Sequence, residues 1–181
     1  MGNIKTPLQV KLFIGLLSSD EQMVRECTSS LTSMFGPVDL ESDPVPWEHT
    51  DYYTAEMGCG LMRKFLFFKG TVSPDILPFC KLFTVTLERC CSSPIDGRDC
   101  RRINVDPGYV TEAKVVLATS KDFAHRISIG EGVYAEVTLK YNKKARSFET
   151  LEHTYPDFRT TDSLALFNNA RRILRGSMKH D

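Results

Sequence analysis

The chain has 181 residues, 41% of them hydrophobic and 25% charged, enough apolar material to pack a domain without disulfides or a structural metal. Its 23 basic and 23 acidic side chains cancel, so it lacks the overall positive charge that draws proteins onto nucleic acid, and only a local basic patch would restore that drive. No stretch reads as a secretory signal or a bilayer span, and six cysteines without a Cys-x-x-Cys pair point to thiols in a reducing cytoplasm rather than to a zinc or redox centre.

Gln9 to Leu17 is a near-continuous apolar run, which predicts an interior strand covered on both faces. Ser19 with Gln22 reads as a capping box, and Met23, Cys27, Leu31 and Met34 then recur at helical spacing until Gly36-Pro37 stops the helix. Val38 to Leu40 predicts a second strand, and Trp47 to Gly60 a long loop carrying Asp51-Tyr52-Tyr53 as a candidate binding surface. Leu61 to Lys69 is the next strand. Ser73-Pro74-Asp75 opens a second helix with Ile76, Phe79, Phe83 and Leu87 as its buried stripe. Ser92 to Asp99 is linker-like and separates sub-lobes 1–93 and 99–181 of one domain, 1–181. With Arg101 to Val105 as a further strand, the order β-α-β-β-α-β is that of a ferredoxin-like unit.

The second half is richer in strands. Asp106-Pro107-Gly108-Tyr109 has proline and glycine where a type II turn wants them. Val110 to Thr119 has an ambiguous period: Val115, Val116 and Leu117 favour a strand, with a short helix as the alternative. His125 to Ile129 and Val133 to Tyr141 flank Gly130-Glu131-Gly132 and predict a hairpin. Phe148 to Tyr155 is an expected edge strand. Thr161 to Arg175 reads as an amphipathic helix with Leu164, Phe167, Ala170, Ile173 and Leu174 inward. The expected fold is α+β: a ferredoxin-like βαββαβ unit extended by a C-terminal antiparallel hairpin and a closing helix.

No phosphate loop, spaced G-x-G-x-x-G, H-E-x-x-H or nucleophile elbow is present, and Gly58-Cys59-Gly60 leads into a strand as a plain turn. What remains is a constellation. Lys114, Lys121, Asp122, His125 and Arg126 cluster around one strand and its following turn, with Glu136 in the next strand. Lysine and arginine grip phosphate or carboxylate, and a carboxylate orients a histidine or holds a cation. Hairpin parity turns His125 and Arg126 to opposite faces unless a bulge intervenes, and leaves Glu136 either exposed or lining a cleft.

Asp106 and Tyr109 join Lys114, Lys121, His125, Arg126 and Glu136 as candidate ligand-binding residues, and Tyr155-Pro156-Asp157-Phe158-Arg159 is a second rigid Pro-containing turn. Each set also has a purely structural reading, as solvated charge or as turn chemistry. No metal ligand set and no cofactor is assigned, and the residues do not decide between enzyme and non-enzyme. Two functions stand: an interaction or ligand-binding module, including a homo-oligomer built on an open sheet edge, and a binder or enzyme acting on a phosphorylated or anionic small molecule. Arg171, Arg172, Arg175 and Lys179 give the last helix a basic end that the helix dipole alone would favour, so nucleic acid is not an expected partner.

Lys-Leu-Phe-Ile-Gly-Leu-Leu-Ser-Ser (11–19), Asp-Tyr-Tyr with Glu-Met-Gly (51–58), Ile-Asn-Val-Asp-Pro-Gly-Tyr (103–109), 114–127, Val-Tyr-Ala-Glu-Val-Thr-Leu (133–139) and Thr-Tyr-Pro-Asp-Phe-Arg (154–159) together resemble a prokaryotic family of small proteins of unknown function, some of which carry an automatic GTP-binding label. The resemblance spans nearly the whole chain and implies a shared fold and a cytoplasmic setting, with no activity to transfer. No guanine-specificity motif of the Asn-Lys-x-Asp kind accompanies it here. In one departure, Glu152-His153 stands where the family pattern has Pro-Trp before Thr-Tyr-Pro-Asp.

Overall fold

The computed structural model describes residues 2–48, 54–95 and 98–178. Strand β1 (Lys11–Ser18) is buried at every position, as the apolar run from Leu12 to Leu17 requires, while Lys11 is buried by pairing with Asp39 at 2.7 Å. Helix α1 (Glu21–Phe35) follows. Asp20 caps it by accepting from the Met23 N–H, a correction to the expected Ser19–Gln22 box. Met23, Cys27 and Leu31 face inward, whereas Met34 is exposed. Strands β2 (Val38–Glu41) and β3 (Val45–Pro46), the short helix α2 (Thr54–Met57) and strand β4 (Met62–Phe68) come next, so the expected long loop is partly structured. Asp51-Tyr52-Tyr53 lies outside the described residues.

Ser73 caps a 3-10 turn at Pro74–Ile76 that runs into helix α3 (Leu77–Cys90). Its buried face is Leu77, Cys80, Lys81, Thr84 and Glu88, about one position round from the expected stripe. Ile76, Phe83 and Leu87 pack at the margin of the core and Phe79 is exposed. Apolar spacing missed this because two charged residues occupy the inner face. The expected linker forms a small hairpin of β5 (Ser93–Ile95) and β6 (Arg98–Cys100).

Strand β7 (Asn104–Val110) overturns the expected turn at 106–109: Pro107 and Gly108 lie mid-strand, between β1 and β8 (Lys114–Thr119). Residues 110–119 are therefore strand, interrupted by a turn in which the Thr111 hydroxyl accepts from the Ala113 and Lys114 N–H groups. The hairpin of β9 (Ile127–Gly130) and β10 (Val133–Asn142) forms as expected, with Glu131 at φ 55° in its turn. Edge strand β11 (Ser147–Thr150) is shorter than expected, and helix α4 (Thr161–Ser177) closes the chain.

The result is a mixed α/β fold on one large antiparallel sheet of order β11-β10-β8-β7-β1-β4-β2, with β9 added to β10 and β3 to β4. One face packs Leu12, Ile14 and Leu16 of β1 against Met23, Cys27 and Leu31 of α1 and Cys80 of α3. The other packs Phe13, Phe65 and Phe67 against Phe158 and against Phe167 and Ala170 of α4, with edge-on ring contacts around Phe13. No helix among the described residues is long and apolar enough to cross a membrane.

Candidate functional site

The β7–β8 ladder covers only Gly108–Val110 of β7, although β7 stays paired with β1 along its whole length. Antiparallel strands turn alternate residues' N–H and C=O groups to alternate neighbours. Val105 turns both of its groups away from β1, and parity turns residue 107 the same way; there a proline has no N–H to donate to β8. The two strands part, and side chains of α3 take up the Val105 backbone groups that β8 does not reach. Glu88 accepts from the Val105 N–H at 2.6 Å, and Lys81, two turns earlier on the same helix face, donates to the Val105 carbonyl at 3.3 Å.

The opening is a cavity of about 430 Å3. Asp106 lies in its lining, with Lys81 Nζ 3.4 Å from one carboxylate oxygen and Arg63 3.6 Å from the other, while the Asn104 amide donates to it at 2.5 Å. Arg63, on β4, also pairs through Nε with Asp157 at 2.8 Å, in the 3-10 turn Pro156–Phe158, and the Trp47 ring covers its guanidinium at 5.0 Å. Arg63, Lys81, Glu88 and Asp157 are all more than nine-tenths buried. Burial raises the Glu88 carboxyl above its ordinary range, and the Lys81 charge only partly opposes this. At the rim, Arg101 forks onto Glu56 at 2.7 and 2.6 Å, and that hydrogen bonding holds Glu56 below its ordinary value. Thr119, Ser120, Lys121 and Tyr155 complete the wall.

The sequence candidates divide. Asp106 and Lys121 line the cavity. His125, Arg126 and Glu136 converge: Glu136, fully buried, accepts on one carboxylate oxygen from His125 Nε2 at 3.1 Å and Arg126 Nε at 2.8 Å. The parity objection does not hold, because His125 and Arg126 precede β9 in a turn closed by Arg126 N–H to the Phe123 carbonyl. This triangle is filled rather than hollow. It serves the cavity as a support: the Arg126 guanidinium donates to the Lys121 carbonyl at 2.9 Å and to the Tyr155 hydroxyl at 2.6 Å, so both wall residues hang from it. Burial pulls the Arg126 pKa down, but the Glu136 hydrogen bond and the nearby negative groups outweigh it and the net shift is upward. Burial and the Glu136 charge raise the Tyr155 phenol. His153 stacks on His125 with ring centres 4.1 Å apart and hydrogen-bonds the Val137 carbonyl.

Two candidates lie elsewhere. Lys114 is exposed at the opposite end of β8, beside Lys140, and Tyr109 packs near Leu77, Val116 and Ala118, where burial raises its phenol. Tyr155 and Asp157, from the second Pro-containing turn, also line the cavity, and the residues missed from sequence are Arg63, Lys81, Glu88, Arg101 and Asn104. The one available signal was Lys81 and Glu88, seven apart in a helix rich in apolar residues. Among the described residues no group of three or more His, Cys, Asp or Glu could hold a metal ion.

The chain belongs to the family described as a domain of unknown function, DUF4416, whose pattern matches residues 8–174. Neither curated proteins nor solved structures gave a match.

Proposed function

We propose that the chain is a ligand-binding module whose cavity takes a small molecule bearing an anionic group, phosphate or carboxylate. The observation that carries this reading is the ionic floor at the parted strands: Arg63 and Lys81 meet Asp106 at 3.6 and 3.4 Å, too long for tight hydrogen bonds. Replacing buried ion pairs with apolar side chains is commonly neutral or stabilising, so a floor retained for folding alone would have no need of them. Lysine has three donors and arginine five, which leaves capacity for an incoming anion, while Asp106 suits a hydroxyl on the same ligand. Lys121 adds positive charge at the mouth.

The order β7-β1-β4-β2, with α1 and α3 as the two crossovers, supports reading the first half as a ferredoxin-like unit, to which β8 to β11 and α4 are added. Free cysteines at all six positions accord with a cytoplasmic setting.

A thermal-shift screen of sugar phosphates, nucleotides and dicarboxylates, with and without magnesium, tests the site. A ligand at a hundredfold excess over its Kd adds about 2.7 kcal/mol, which raises Tm by roughly 5–10 °C. The shift should disappear in Lys81→Met and shrink in Lys121→Ala. Shifts of equal size in both variants, or none with any anion, would overturn the reading.

A further inference from the structure

The neutral total conceals a separation of charge. The C-terminal half of α4 and the β10–β11 turn enclose a second hollow, of about 540 Å3, whose lining includes Arg146, Arg171, Arg172 and Arg175. Glu112 faces two of them, 3.9 Å from Arg171 and 3.5 Å from Arg175. Arg171 is fixed in place: its guanidinium lies 3.5 Å from the centre of the Tyr141 ring and its Nε donates to the Glu112 carbonyl at 2.6 Å. Arg146 sits in a turn at φ 54°, a backbone region that favours glycine or asparagine, and is exposed, as are Lys143 and Lys144. At the same end of the sheet Lys114 and Lys140 are cross-strand partners, but they alternate with the inward Val115, Leu139 and Tyr141 and so lie on the other face, where Lys140 also stands opposite Glu149.

Helix-dipole stabilisation accounts for basic residues in the last turn of α4, and this was the reading that the sequence supported. It does not account for Arg146, Lys143 and Lys144, which belong to another element. We propose that this end of the molecule is a docking surface for the phosphodiester backbone of a nucleic acid. The positive groups extend over two elements instead of converging on one point, which suits a string of phosphates better than a single anion. Arginine forks match phosphate oxygens, and the face of Tyr141 is already covered by Arg171, so contacts go to the backbone and carry no base specificity. The surface is distinct from the anion cavity: β8 runs from Lys114 at this end to Thr119 at the cavity, about 17 Å at the usual strand rise.

Fluorescence anisotropy with labelled single- and double-stranded oligonucleotides of mixed sequence tests the proposal, with vesicles containing anionic lipid run in parallel. Four phosphate contacts give a log–log salt slope of about −3 to −4, so affinity for duplex should fall roughly a hundredfold between 50 and 200 mM salt. Arg146→Glu with Arg172→Glu, both solvent-facing, should cut affinity at least tenfold while leaving Tm and any ligand shift at the cavity unchanged. Either strand form binding in this way supports the surface. No binding at 50 mM salt, binding that the double variant does not weaken, or binding to vesicles without binding to oligonucleotides would each overturn it. Because the variants lie far from Lys81 and Asp106, this result and that of the anion screen can fail separately.

Discussion

Glu136 is where a single substitution should do most damage for a reason visible in the geometry. Its carboxylate is fully buried, the Arg126 side chain is 8% exposed, and the two meet at 2.8 Å. Glu136→Ala leaves a guanidinium inside the protein with two neutral acceptors, the Lys121 carbonyl and the Tyr155 hydroxyl. Removing one partner of a buried ion pair costs about 3–5 kcal/mol, and the two surviving acceptors put this case near the lower figure. For a chain of this length that is a fall in Tm of roughly 6–12 °C. Arg126→Met in the same background removes the stranded charge and should restore most of the loss, giving a coupling of about 2 kcal/mol in a double-mutant cycle followed by calorimetry or circular dichroism. A Glu136→Ala loss below about 1 kcal/mol, or a double variant no more stable than Glu136→Ala, would refute the claim that the carboxylate exists to hold Arg126.

Gly108→Ala should cost about 1–3 kcal/mol by thermal denaturation, because a Cβ there would lie 2.4 Å from both Phe13 Cζ and the Val116 carbonyl oxygen, the latter fixed in the β8 ladder. Glu56→Gln should show a pH-dependent loss. The Arg101 fork holds the Glu56 pKa below 4.5, so its stabilisation is present above that value and disappears as pH falls through the folded-state pKa. Denaturation titrations should find the variant weaker by about 1 kcal/mol at neutral pH and equal to the parent in acid; a gap that widens on acidification would contradict the pairing.

Elements whose signal is local were legible. The double-sided burial of β1, the β9–β10 hairpin and the inner face of α4 each follow from the spacing of apolar residues within one segment. Strand β7 was not, because Asp106-Pro107-Gly108-Tyr109 has the composition of a turn. Its strand conformation depends on distant partners: the Phe13 ring and the β8 carbonyl admit only glycine at 108, and α3 supplies the hydrogen bonds that the proline prevents β8 from making. A turn and a proline-broken central strand share a local sequence and differ in what lies across from them.

The same distinction explains the site. His125, Arg126 and Glu136 are close in sequence, so hairpin pairing alone suggested that they could meet, although it gave no sign that they would form a packed support behind Tyr155 rather than the hollow itself. Arg63, Lys81, Asp106 and Asp157 come from four separate elements; the two acids stood out only as members of Pro-containing turns, and nothing in the local sequence joined them to Arg63 or Lys81. Composition averages in the opposite direction. Equal numbers of acids and bases argue against a polyanion partner only if they are mixed over the surface. Here carboxylates are drawn inward to balance Arg63, Lys81 and Arg126, and at the end of α4 Arg171 and Arg175 share Glu112. A buried pair withdraws one acid and one base together and leaves the surface total where it was, so the basic end of α4 reflects where the remaining charges lie rather than how many there are.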